Sequence, residues 1–110
     1  MDERKRRIGE NEALYRSINE KIEGLNAAFG MVTESMGIVC ECGQLECTQQ
    51  IDLDIPTYER VRADPALFVV VPGHEIPDVE SIVEAHEAFN IIRKNPGGPA
   101  ELAEALDPRS

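Results

Sequence analysis

All three cysteines of the chain, Cys40, Cys42 and Cys47, fall in the stretch CECGQLEC, and the rest of its 110 residues contain none. Any fold available to this sequence must gather those thiols at one point. A disulfide, a redox switch, a catalytic nucleophile and a metal site are the competing explanations. MDERKRRIGENE lacks the apolar stretch of a signal peptide, and no run approaches membrane-spanning length. The expected compartment is therefore the reducing cytoplasm, where stable disulfides are uncommon. A Cys40–Cys42 disulfide would also close a very tight ring.

A metal accounts for the clustering better. In an extended segment, side chains two apart project to the same face, so Cys40 and Cys42 grip one ion while Glu41 points away. Gly43 lets the backbone turn, and GQLE returns Cys47 to the same place, giving C-x-C-x4-C. Zinc favours thiolate and imidazole ligands in a tetrahedron, so a fourth ligand is sought elsewhere. The chain has two histidines, His74 and His86. His74 follows the apolar run LFVVV in the turn PGHE and is the preferred ligand. His86 lies among acids in SIVEAHEA and reads as a surface residue; water is the other candidate for the position.

Around this cluster the sequence reads as α+β: a small antiparallel sheet with a zinc-binding loop, a long N-terminal helix and a short helix between strands. Ile8, Asn11, Tyr15, Ile18, Ile22, Leu25 and Phe29 step by three and four, a seam that predicts a helix over 8–29. Leu14 and Ala28 widen the stripe. A homodimeric coiled coil and a helix docked on its own core both fit. Gly30 is the expected stop, and MVTESMG a connector. GIVCEC reads as a strand, and QIDLDI alternates as a half-buried strand. PTYERVRA reads as a short helix begun by Pro56, and LFVVV as a central strand. SIVEAH and FNIIRK form a hairpin near Glu87, NPGGP a linker, and AELAEAL a weak terminal helix. The division is a basic arm plus helix over 1–30, an acidic zinc-binding core over 34–94, and a linker with terminal helix over 95–110.

Charge narrows the function classes. The formal net charge is −10, and all of it arises between Glu34 and Ile92, where only Arg60 and Arg62 oppose the acids. Such a surface repels phosphate backbones, so nucleic acid is not the expected partner. Arg4-Lys5-Arg6-Arg7 reads as a solvated tail ahead of the helix. Asp52 and Asp54 lie on the outward side of their strand and read as solvated charge. With five aromatic residues and no Trp, the core is small and gains from a metal or from self-association.

The stretch from Gly37 to Val83 resembles a group of small, uncharacterised proteins from high-GC Gram-positive bacteria (actinobacteria). The shared pattern is C-E-C, a further Cys, a Tyr-Glu-x-Val-Arg helix and P-G-H-E. N-E-A-L-Y-R near the start and D-P-R-S at the close extend the resemblance over nearly the whole chain. It implies that Cys40, Cys42, Cys47 and His74 form one constellation, and it supplies no reaction.

Enzymatic zinc motifs are absent. HEIPD is not H-E-x-x-H, Pro77 would interrupt the helix that motif needs, and the deaminase pattern fails in order and spacing. Three thiolates also make zinc a poorer Lewis acid. The sequence thus favours a non-catalytic zinc-stabilised module that binds a protein partner or itself through helix 8–29. A switch in which thiol oxidation releases the metal is the alternative, and a zinc hydrolase using Glu75 ranks below both.

Overall fold

The computed structural model describes residues 1–28 and 35–109. Phe29 at the end of the seam, the stop at Gly30 and most of the MVTESMG connector, including Met31, lie outside them. The elements are α1 (Glu3–Ala28), β1 (Ser35–Val39), β2 (Gln50–Asp54), α2 (Ile55–Arg62), β3 (Leu67–Val70), β4 (Glu80–Ala85), β5 (Asn90–Lys94) and α3 (Gly98–Ala105). This is the α+β architecture expected, with its strands divided between two small antiparallel sheets, β1-β2 and β3-β5-β4.

The strand pattern explains the first sheet directly. Met36 pairs with Leu53 and Ile38 with Ile51, so the alternating apolar residues share one buried face while Asp52 and Asp54 face solvent. In the second sheet, β5 is central and LFVVV, read as a central strand, forms the edge strand β3. Its buried character nevertheless has a cause: Leu67–Val70 is covered on both faces, and its outer edge is occupied by the cysteine segment. The hairpin over β4 and β5 forms as expected, with a bulge between Ile82 and Glu84.

α1 begins five residues before the apolar seam. Asp2 accepts the Lys5 amide at 2.8 Å and caps the first turn. Arg6 and Arg7 pair with Glu10 and Glu3 one turn away, and Arg4 pairs with Asp78 at 3.0 Å. The basic run is thus helical, not the tail expected from its charge.

The seam itself divides between two faces of α1. Ile8 and Tyr15 are buried, whereas Ile18 and Leu25 are exposed together with Leu14. Beside Ile8, Ala13 and Tyr15, α1 buries three polar side chains: Glu12, Arg16 and Asn19 are fully covered. Arg16 lies over the Phe68 ring and donates to the carbonyls of Pro65 and Ala103, each at 2.8 Å. Lys94 on β5 bonds Glu12 at 2.5 Å and Glu80 at 3.0 Å, all three buried. α1 therefore docks by satisfying polar groups as much as by removing apolar area from water.

The C-terminal segment closes over α1 and α2. Arg62 on α2, fully buried, pairs with Asp107 and with Glu20. Arg109 bonds Glu20, Glu23 and Glu59. Among the described residues, no helix is long and apolar enough to cross a membrane.

Candidate metal centre

The site is built where the connection from β1 to β2 lies along the edge of β3. After β1 the backbone stays extended: the Cys40 amide bonds the Gln49 carbonyl at 3.0 Å, continuing the ladder with the β2 side. One residue later the partner changes, and the Glu41 amide bonds the Val69 carbonyl on β3 at 2.9 Å. The alternation of an extended segment then sends Cys40 and Cys42 to one side and Glu41 to the other.

Gly43 follows, and its role differs from the one its turn suggested. Its backbone needs no positive φ; Gly73 and Gly97 are the described glycines that have one. A Cβ at Gly43 would instead lie 2.5 Å from Ile8 Cγ2, so the missing side chain is what lets the loop approach α1 closely. The Cys47 amide then bonds the Gln44 carbonyl at 3.0 Å, and that turn brings the third thiol back.

His74 arrives from β3. The turn over Val71–His74 is closed by the His74 amide on the Val71 carbonyl at 2.9 Å, and Gly73 takes φ 93°, which favours glycine. Nδ1 of His74 lies 3.6 Å from Cys40 Sγ and 3.6 Å from Cys47 Sγ. The four ligand atoms of Cys40, Cys42, Cys47 and His74 all lie within 4.8 Å of one another. Zinc bond lengths in a regular tetrahedron require sulfur–nitrogen separations of about 3.6 Å, which the His74–Cys40 and His74–Cys47 pairs already have.

The electrostatics also favour a cation. Hydrogen bonding from Cys40 pulls the Cys42 thiol down to about 5. The same bond, together with burial, pushes Cys40 up. Three clustered sulfurs cannot all become thiolates unaided, and a divalent ion removes that conflict. The Val71 amide donates to Cys40 Sγ at 3.2 Å, a bond a metal-bound thiolate accepts well. Cys40 and Cys42 are buried, while Cys47 and His74 are half-buried, so one edge of the site meets solvent.

His86 is not at this site: it bonds Glu84 at 3.0 Å and stacks on Phe89. Glu75, adjacent to His74 in sequence, accepts hydrogen bonds from the Gly73 amide and the Asn90 side chain. It staples the turn to β5.

Several further residues support the site without a signal in the sequence for that role. Glu41 points away from the cysteine side, as its spacing predicts, and its carboxylate is fully buried. It accepts from the Val69 amide at 3.0 Å and from Asn19 Nδ2 at 2.8 Å. Gln49 places its side-chain amide 3.5 Å from His74 Nε2. Asn11, Tyr15 and Asn19 hold the loop from α1. Asn11 and Tyr15 belonged to the seven-residue seam, which marked their face but not their partner; Asn19 carried no signal. Comparison with protein-family models, with curated proteins and with solved structures finds no match.

Proposed function

We propose that the chain is a non-catalytic, zinc-stabilised module of the cytoplasm that works by binding another protein or a second copy of itself. The observation that carries this reading is the Cys3His cluster. Three thiolates and an imidazole are a set zinc prefers, and together they fill its tetrahedron, leaving no position for substrate. Glu75, adjacent to His74 in sequence, is engaged with Gly73 and Asn90, which argues against its use as a hydrolytic base. The pairing of Arg4, Arg6 and Arg7 with acids, on a chain of charge −10, argues against nucleic acid.

Elemental analysis tests the metal. Stoichiometric zinc should be lost in Cys40→Ser, Cys42→Ser, Cys47→Ser and His74→Ala and retained in His86→Ala. Hydrolytic turnover abolished by Glu75→Gln would overturn the non-catalytic reading. The partner surface is assigned to the outer face of α1, where Leu14, Ile18 and Leu25 are exposed at spacings of four and seven. Sedimentation of the wild type beside Leu14→Asp/Leu25→Asp checks self-association, and a monomeric wild type leaves only a different protein as partner.

A second reading, a thiol switch, draws on the half-buried edge at Cys47. Peroxide would oxidise two thiolates to a disulfide, be reduced to water, and release the ion. Rapid appearance of zinc at a coloured chelator under mild peroxide supports it, and release only at the rate of global unfolding rejects it.

A further inference from the structure

Asn11, Tyr15 and Asn19 form one row along α1, each four residues from the next, and all three reach the backbone of the cysteine segment. Asn11 Nδ2 donates to the Gly43 carbonyl at 3.0 Å. The Tyr15 hydroxyl donates to the Leu45 carbonyl. Asn19 makes three bonds: Nδ2 donates to the Val39 carbonyl at 2.9 Å and to Glu41 Oε2 at 2.8 Å, and Oδ1 accepts the Val39 amide at 2.8 Å. The residues addressed are 39, 41, 43 and 45, which alternate with the ligands at 40 and 42. The cysteine segment therefore has two working faces, the ion's on one side and α1 on the other.

We infer that Asn11, Tyr15 and Asn19 are positioning residues for the metal, and that metal binding and the seating of α1 are one coupled equilibrium. This inference rests on the Cys3His reading of the site. The loop from Gly43 to Gln49 has little structure of its own: it contains a single tight turn, and its side chains are largely exposed. Its ligand geometry is inherited from the helix beneath it. By linkage, whatever the seated helix does for metal affinity, the bound metal does equally for the seating of the helix. Loss of the ion loosens the row at Asn11, Tyr15 and Asn19, while Arg16, Glu12 and the Arg62–Glu20 pair still tether α1 elsewhere. The metal thereby sets how firmly the interaction helix is held, which makes its loading state a control on the surface that binds partners.

The test measures zinc affinity by chelator competition, cobalt(II) absorption of the substituted site, and amide exchange along α1 with and without zinc. Asn19→Ala should weaken zinc by about 10- to 100-fold, the usual range for residues that orient metal ligands. Tyr15→Phe, which removes one oxygen and keeps the ring, should act in the same direction by a smaller factor, and both should shift the cobalt spectrum. In the wild type, which needs no variant to fold, removing zinc should speed exchange over residues 11–19 more than in β5. Wild-type zinc affinity in both variants, with α1 exchange indifferent to zinc, overturns the coupling and leaves the metal site intact. Failure of the wild type to bind zinc or cobalt through its cysteines overturns the Cys3His reading itself.

Discussion

Glu41 shows how much one residue between two ligands contributes. Its amide and its carboxylate together satisfy both polar groups of Val69, doing for the edge of β3 what a neighbouring strand would do. Glu41→Ala leaves the buried Val69 amide without its acceptor and removes a partner from Asn19. The expected cost is about 1–3 kcal/mol, read as a lowered urea midpoint at unchanged slope. Among the carboxylates gathered by Arg109, Glu23 and Glu59 are pushed in opposite directions. Burial, and then its bond to Glu59, pushes Glu23 up to about 7, while the bonds from Arg109 and Glu23 pull Glu59 down to about 2. The raised group stabilises most below the ordinary carboxylate range, and its contribution fades as pH rises through 7. The lowered group stabilises above that range and is lost as pH falls towards 2. Arg109, Arg62 and Glu20 face the same pair. Solvent screens side chains this exposed, so the slope is shallow. Glu23→Gln should flatten the decline in stability between pH 5 and 7; a decline as steep as the wild type's assigns it to other groups.

At the scale of the element, α1 carries most of the organisation that periodicity did not express. A seven-residue apolar seam marks a helix, and the helix is there. The seam cannot distinguish a face packed on the core from one left open, because both accept Ile, Leu and Tyr at the same spacing. The buried face also takes in Glu12, Arg16 and Asn19, which surface statistics place outside. They are inside because each finds a partner on a segment distant in sequence. Those partners are what one chain read locally does not contain. The strands were more legible: Ile51 and Leu53 alternate with Asp52 and Asp54, and a period of two has one solution. The Cys3His cluster was legible for a similar reason, since few residue types can hold a soft metal ion. Its supporting residues were not, since hydrogen bonds to backbone carbonyls leave no mark on composition. The Glu12–Lys94–Glu80 cluster, which fastens α1 to the second sheet, gives the sharpest test of polar docking. Burial and the bond to Glu80 push Glu12 well above the usual carboxylate range. Lys94→Met leaves two buried acids facing each other and should cost about 3–5 kcal/mol, whereas replacing all three by apolar residues of similar volume should restore most of it. Denaturant unfolding of the single and triple variants decides this, and equal losses in both would mean that packing, not charge, holds the helix there.

For the whole molecule, the position of the Cys3His cluster matters more than the identity of an ion it would hold. The candidate ligands come from the connection between β1 and β2 and from the turn after β3, and the cysteine loop rests on α1, so one site touches three of the pieces that must assemble. The core they join is small: among the described residues, Phe68 and Tyr58 are its fully buried aromatic side chains, surrounded by aliphatic side chains and two of the cysteines. The acidic central segment adds self-repulsion to the compact state. A ligand bound only by the folded chain stabilises it by mass action, about 4 kcal/mol when free zinc exceeds its dissociation constant 1,000-fold. For a domain of this size that corresponds to a fall in Tm on the order of 15–30 °C on chelation. Thermal unfolding in matched zinc-buffered and chelator-containing solutions measures it. Cys40→Ser should melt low in both, because its site no longer closes around the ion, and His86→Ala should respond like the wild type. A wild-type Tm that ignores the chelator, in protein shown to hold zinc beforehand and none afterwards, would mean that the sheets, α1 and the Arg62–Asp107 closure hold the fold without the ion. The site would then be an addition to a finished structure, not a joint within it.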